Sequence, residues 1–143
     1  MIRQITLEDK EQWEKLYRDY ADISKVEISN KILQTVWGWL HNKNHEIECL
    51  VYDVNGKIVA FAHYTKMPRT LSGKDIGFLD DLFVDANFRG KRIGEKLLNK
   101  LKEIAGNNNW DLVRWISKQD NLSANTLYNR VAEKTTWDLY EIR

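Results

Sequence analysis

The stretch Asp80-Asp81-Leu82-Phe83-Val84-Asp85-Ala86-Asn87-Phe88-Arg89-Gly90-Lys91-Arg92-Ile93-Gly94-Glu95-Lys96-Leu97-Leu98 decides how the rest of the chain is read. It opens as an apolar strand and turns through a short loop ending in Arg-Gly-Lys-Arg. It then places Leu97, Leu98, Leu101 and Ile104 at helical spacing. A strand feeding a helix through such a loop builds an anion site: the first turn of a helix has amides without intrahelical partners, and the dipole adds about half a positive charge there. Arg89, Lys91 and Arg92 stand where that positive end begins, and Gly90 and Gly94 let the backbone approach a ligand with no β-carbon in the way. A phosphate or pyrophosphate would be held mostly by main chain. The competing reading is a solvated basic turn ahead of an amphipathic helix.

Spacing sets aside two well-known phosphate loops. A P-loop needs four residues between its glycines and then Lys-Ser or Lys-Thr, whereas Gly94 follows Gly90 after three and is succeeded by Glu95. The dinucleotide fingerprint Gly-x-Gly-x-x-Gly is absent. From Arg89 to Gly94 the loop resembles a third pattern: Gln or Arg, two residues, Gly, one residue, then Gly or Ala. That is the pyrophosphate loop of the GNAT superfamily of N-acetyltransferases, and the resemblance implies acetyl-coenzyme A held by Leu82, Phe83, Val84, Arg89, Gly90, Lys91, Arg92, Ile93 and Gly94. The pattern's first glycine falls on Arg92. A left-handed arginine would cost about 1–2 kcal/mol, so ordinary helical dihedrals are expected there, with the side chain free to serve phosphates.

A chain of 143 residues suits one domain, 1–143, with one core. Its formal charge is +1 with both signs interspersed, which argues against nucleic acid or an anionic membrane as partner. The single cysteine, Cys49, excludes an internal disulfide and a cysteine-based zinc site, and its apolar setting predicts a buried thiol in a reducing compartment. No apolar signal segment opens the chain, so a cytoplasmic protein is expected.

In chain order, Ile2 to Ile5 read as a strand, and Thr6 with Asp9 has the form of a capping box. Trp13, Leu16, Tyr17 and Tyr20 then form a helical stripe. A second helix is predicted from Ser29 to His41, with Ile32, Leu33, Val36, Trp37 and Leu40 on one face. His41 and His45 lack a third ligand at metal spacing, and no metal is expected. Ile47–Val54 and Lys57–Tyr64 flank Asn55-Gly56, a strong hairpin signal. Residues 67–74 read as a polar loop, 76–84 as the strand entering the central loop, and Gly106 as the cap closing the helix after it. Leu112–Ile116 is a fifth strand, a helix follows Asp120-Asn121, and Trp137–Ile142 reads as a last strand. The order predicts an α/β (α+β) domain: a mixed, mostly antiparallel sheet with strands four and five parallel and helices on both faces. It resembles the GNAT fold from end to end.

A second constellation lies on the helix after strand five, where Asn121, Ala124, Asn125 and Tyr128 share one face. Asn121-Leu122-Ser123-Ala124-Asn125-Thr126-Leu127-Tyr128 is similar to the superfamily's Asn-x-x-Ala-x-x-Leu-Tyr signature. The resemblance implies Asn121, Ala124 and Asn125 near the pantetheine arm and Tyr128 aimed at the thioester sulfur; a core tyrosine is the plainer alternative. Beyond it the chain departs from the pattern, with Ala132 where many members have glycine.

Acyl transfer to an alkyl amine needs a base, because an amine of pKa near 10.4 is only about one part in a thousand neutral at neutral pH. Leu79-Asp80-Asp81-Leu82-Phe83-Val84 resembles a Leu-Glu-Asp-Phe-Phe-Val segment of polyamine acetyltransferases, where Asp80 takes the place of the glutamate proposed as base. Since neighbouring strand residues face opposite ways, only one of Asp80 and Asp81 is expected to meet substrate, and Asp80, acting through water, is preferred; the alternative is that both serve as loop-capping or amine-binding carboxylates. Backbone amides among Leu82 to Val84, at a splay between strands four and five, would receive the developing oxyanion. Tyr128 would protonate the leaving thiolate. His63 reads as a packed histidine.

These features together predict an N-acetyltransferase acting on a small primary amine, a polyamine or an amino acid. Protein lysine, a protein N-terminus and a non-catalytic acyl-coenzyme A module are the alternatives. Asp19, Asp22, Glu27, Tyr17 and Tyr20 are candidates for a cationic acceptor's surroundings, and a homodimer is left open.

Overall fold

A computed structural model describes the whole chain, Met1 to Arg143. Its centre is set by Asn55 and Gly56, which both take left-handed backbone, φ 52° and 88°. That is the angle pair a two-residue hairpin turn needs to match strand twist. The turn joins β2 (Ile47–Val54) to β3 (Lys57–Arg69). β1 (Ile2–Gln4) lies on the outer edge of β2, and β4 (Lys74–Val84) on the other side of β3, all antiparallel. β5 (Val113–Arg114) adds to β4 in parallel, which gives the order β1-β2-β3-β4-β5. The expected mixed sheet is therefore present.

Four helices cover it: α1 (Lys10–Ile23) and α2 (Asn30–Leu40) on one face, α3 (Ile93–Asn107) and α4 (Leu122–Val131) on the other. The first face buries Trp13 and Leu16 of α1 and Leu33 and Val36 of α2 against Cys49, Val51, Phe61 and Phe83. The second buries Ile93, Leu97, Leu98 and Leu101 of α3 against Leu50, Val59, Ala62, Tyr64 and Leu79. Each fully buried large apolar side chain contributes about 1.5–3 kcal/mol, so these two layers hold the helices on the sheet. Thr6 and Asp9 act as read: the Thr6 amide donates to Asp9 Oδ2 at 2.8 Å, and a 3₁₀ turn at Leu7–Asp9 leads into α1. Ser29 Oγ accepts from the Ile32 amide at 3.1 Å and starts α2. Ile32 itself stays exposed rather than joining the apolar face.

Three expectations from the sequence are corrected. Residues 67–74 are not a free loop, since β3 and β4 continue as a two-stranded ribbon to Arg69 and Lys74, closed by Gly73 at φ 63°. Polar composition there reflects a ribbon with little core beneath it, and Pro68 fits where the missing donor is not needed. Helix α3 runs through Gly106 to Asn107, and its left-handed residue is Asn109, φ 56°, an amino acid that tolerates that region. The expected strand Trp137–Ile142 does not form, and Trp137, Leu139, Tyr140 and Ile142 are exposed. Alternating composition favours an extended chain but supplies no edge, and β5, predicted as Leu112–Ile116, offers only two laddered residues. No helix is long and apolar enough to cross a membrane.

Candidate active site

The register of β3 against β4 changes between His63, which pairs with Asp81, and Tyr64, which pairs with Leu79. Asp80 is the extra residue of a two-against-one bulge, and such a bulge breaks the alternation of side chains. Thr65 Oγ1 donates to Asp80 Oδ2 at 2.9 Å, and His63 Nδ1 lies 2.8 Å from Asp81 Oδ2. Thr65 and His63 are two apart on β3 and share a face, so both carboxylates project toward α1. The expectation that these two neighbours face opposite ways is thus corrected. Tyr17 and Tyr20 of α1 complete the wall: Tyr17 lies 5.0 Å from the His63 ring, and Tyr20 lies 5.9 and 5.8 Å from Phe61 and Phe83.

Electrostatics follow the crowding. Partial burial raises the Asp80 carboxyl above its ordinary value, opposed by the Thr65 hydrogen bond and reinforced by the Asp81 charge, although the residue remains open to solvent on one side. Burial, and then the charges of Asp81 and Asp80, push Tyr17 up to about 12. Tyr20 is raised for the same first two causes, burial and Asp81, and also feels Tyr128. Burial raises Tyr128 too, so its proton is retained at neutral pH, and its ring packs edge-on to Trp115 at 5.3 Å.

Just ahead of the bulge β4 loses a neighbour. Its parallel ladder with β5 stops at Phe78 and Arg114, while β4 continues to Val84. The Val84 carbonyl is turned away from β3 and accepts from Arg89 Nε at 3.1 Å; by strand alternation the amides of Leu82 and Val84 face the same open side, and Phe83 faces β3. A wedge lined by unpaired backbone donors results.

At the end of β4 a 3₁₀ turn, Ala86–Phe88, leads into the Arg-Gly-Lys-Arg loop. Gly90 has φ 78°, and Arg92 has φ 60° and ψ 24°, so Arg92 is left-handed and the expectation of helical dihedrals there is overturned. The need to turn the chain into α3 outweighs the β-carbon penalty of about 1–2 kcal/mol. Arg92 is the N-cap but offers no side-chain acceptor, which leaves the amides of Ile93, Gly94 and Glu95 uncapped. A β-carbon on Gly90 would meet nothing within 4 Å, whereas one on Gly94 would come 3.2 Å from Leu127, so Gly94 serves the contact between α3 and α4. The Arg92 guanidinium donates to Glu95 Oε2 at 3.2 Å, and Glu95 also receives Arg130 of α4 at 3.1 Å. Lys91 Nζ stands 5.1 Å from the Phe88 ring. Uncapped amides, two left-handed residues and three cations form a cradle suited to phosphate oxygens.

On α4, Asn121 Oδ1 accepts from the Ala124 amide at 3.4 Å as the helix cap. Asn125 is fully engaged: it accepts from Ser117 Oγ at 2.7 Å and donates to the carbonyls of Lys118 and Gln119 at 3.0 and 3.2 Å. Its amide fastens the β5–α4 loop rather than projecting to a ligand. A cleft of about 840 Å³ between the end of α1 and the start of α2 is lined by Arg18, Asp22, Lys25, Glu27 and Ile32 among others. Asp19 is not part of it; it pairs with Lys15 at 2.8 Å. What sequence reading missed is the engagement of His63, whose strand position alone signalled only packing.

The sequence model of the Acetyltransferase (GNAT) family matches residues 10–132. The chain belongs to that family and is an N-acetyltransferase. It is 26% identical over 143 residues to the D-amino-acid N-acetyltransferase HPA3 of Saccharomyces cerevisiae, covering 99% of this chain and 89% of the relative. The fold superposes on the ribosomal-protein-alanine N-acetyltransferase of Brucella melitensis biovar Abortus 2308 with a TM-score of 0.84 at 23% identity, over 100% and 99% of the two chains. It also superposes on the aminoglycoside N-acetyltransferase AAC(6')-Iy in complex with coenzyme A, TM-score 0.86 at 14% identity, over 100% of this chain and 93% of the other.

Arg92→Gly removes the left-handed penalty of about 1–2 kcal/mol and adds about 0.5–1 kcal/mol of backbone freedom in the unfolded chain. A thermal melt should therefore show an equal Tm or one raised by up to about 4 °C. A clear fall would mean that the contact with Glu95 outweighs the strain.

Proposed function

We propose that the chain, as one acetyltransferase domain over residues 1–143, transfers the acetyl group of acetyl-coenzyme A to the primary amine of a small molecule by direct attack. The observation that carries this reading is the juxtaposition along β4: two carboxylates on one face at the bulge, then an open row of amides, then an uncapped helix preceded by a basic loop. Relatives support the cosubstrate, one of them having been seen with coenzyme A. The lone buried thiol of Cys49 fits a reducing compartment such as the cytoplasm.

The roles follow from chemistry. The amides of Ile93, Gly94 and Glu95, with Lys91 and Arg92, hold the phosphates. Acetyl-coenzyme A supplies the activated acyl group. Asp80 takes the ammonium proton through water, and its raised pKa suits that task better than an ordinary aspartate would. Leu82 and Val84 amides receive the charge that develops on the acyl oxygen. Tyr128 gives its proton to the departing sulfur. Asp81, with the faces of Tyr17 and Tyr20, surrounds the ammonium group before it loses its proton.

For the acceptor, the carboxylate pair and the polyamine-like Leu-Asp-Asp-Leu-Phe-Val segment favour an amine with more than one positive charge. A second reading, an amino acid, is favoured by Arg18 and Lys25 in the neighbouring cleft, which could take its carboxylate, and by the yeast relative's action on D-amino acids. A panel of spermidine, lysine, neutral D- and L-amino acids and peptide N-termini, followed by release of free thiol, separates them. Preference for spermidine and lysine supports the cationic acceptor, preference for neutral amino acids supports the second reading, and no turnover at all ends the enzyme role proposed for this site.

Tyr128→Phe should lower kcat by about 10-fold or more and leave acetyl-coenzyme A affinity unchanged, because the hydroxyl is needed only as sulfur leaves. An unchanged kcat where chemistry is rate-limiting would assign the proton to another group.

The raised Asp80 pKa means that the carboxyl keeps its proton to a higher pH than a free aspartate. The acid limb of kcat/KM should therefore begin above the usual aspartate range and vanish in Asp80→Asn together with about 100-fold of the rate. A limb that persists in Asp80→Asn would belong to another group.

A further inference from the structure

Trp13 and His63 are fully buried, and neither was needed by the roles above. Trp13 Nε1 donates to His63 Nε2 at 2.9 Å, and His63 Nδ1 lies 2.8 Å from Asp81 Oδ2. An indole nitrogen is a donor only, so His63 Nε2 must present its lone pair to it, and the ring proton must sit on Nδ1. Nδ1–H then donates to Asp81, whose side chain is 20% exposed at the acceptor face. The order of donors is the same read from either end: the Trp13 indole on α1 can only donate and needs a bare Nε2, and the Asp81 carboxylate on β4 accepts and needs Nδ1–H on β3.

We propose that Trp13 and His63 are positioning residues that fix Asp81 as the ammonium-receiving carboxylate of the acceptor site. The opposite tautomer would turn a ring lone pair toward the carboxylate and push Asp81 off the bulge. His63 itself is no proton carrier here, since Nε2 is committed to Trp13 and Nδ1 to Asp81. Aromatic rings seal the relay: His63 lies 4.7 Å from Phe61, 5.0 Å from Tyr17 and 5.9 Å from Trp13. The titratable groups around it are Tyr17 and Tyr20 of α1 and Asp80 and Asp81 of β4.

The role of Asp81 rests on the acetyl-transfer reading, whereas the tautomer does not, so the two are tested separately. Nitrogen NMR of the full-length wild-type chain should show His63 protonated at Nδ1 and bare at Nε2. A proton on Nε2 overturns the proposal whatever the activity. Kinetically, His63→Asn places an amide donor where Nδ1–H was, and His63→Gln places it where Nε2 was. His63→Asn should keep kcat/KM for the preferred amine within about 5-fold, and His63→Gln should lose about 10- to 100-fold, the worth of one hydrogen bond to a charged group. The loss should appear mainly in the amine KM, with acetyl-coenzyme A affinity equal in both. Equal losses in the two variants would reduce His63 to a packing residue and overturn the proposal. Failure of the wild-type chain to acetylate any amine would instead overturn the acetyl-transfer reading.

Discussion

The site depends on β4 having two strand partners at one end and one at the other. At Gly77 and Phe78 it is held by β3 and β5 together; further on β5 departs and only β3 remains. Gly77 marks the tight end, where a β-carbon would stand 2.9 Å from the Trp110 ring. With one side released, β4 can absorb an extra residue at Asp80 without displacing a second ladder. Carboxylates on a common face and unpaired amides along the open edge are both products of that single asymmetry.

Much of this was legible in the residues. Asn55-Gly56 specified the central hairpin because few dipeptides accept two positive φ angles, Ser29 and Asn121 stand at helix starts where their side chains accept from stranded amides, and at Thr6 the Asp9 carboxylate accepts from the Thr6 amide. The loop before α3 was legible as a sharp turn into a helix by its glycines, and Gly90 does take left-handed backbone there. The bulge was not. It is a choice of register between two strands, and nothing in Asp80-Asp81 distinguishes an inserted residue from a regular one. The facing of both aspartates toward α1 follows only once that register is known.

Other departures have the same origin in partners that sequence does not display. Trp137 to Ile142 has strand composition but finds no edge long enough to pair with. Asn125 lies on the face of α4 that signature residues share, yet three hydrogen bonds to residues 117–119 take up its amide. Arg92 shows the converse case, in which a residue ill suited to a conformation takes it because the chain on either side leaves no alternative. His63 looked like an ordinary core histidine, and its meaning came from Trp13, fifty residues away in the chain.

The strand order has a further consequence, for how the molecule assembles. β2, β3 and β4 are neighbours both in the chain and in the sheet, so their turns close short loops at small entropic cost. β1 and β5 join only across long connections, the latter after α3 has formed. The meander therefore closes at the lowest entropic cost, and the wedge between β4 and β5 needs a longer closure. The edge strands are also the least tied, β1 through three paired residues and β5 through two, while β3 is paired on both sides. The gap between β4 and β5 is thus bounded on one wall by a strand that stays paired to β3 and on the other by a strand with only two paired residues.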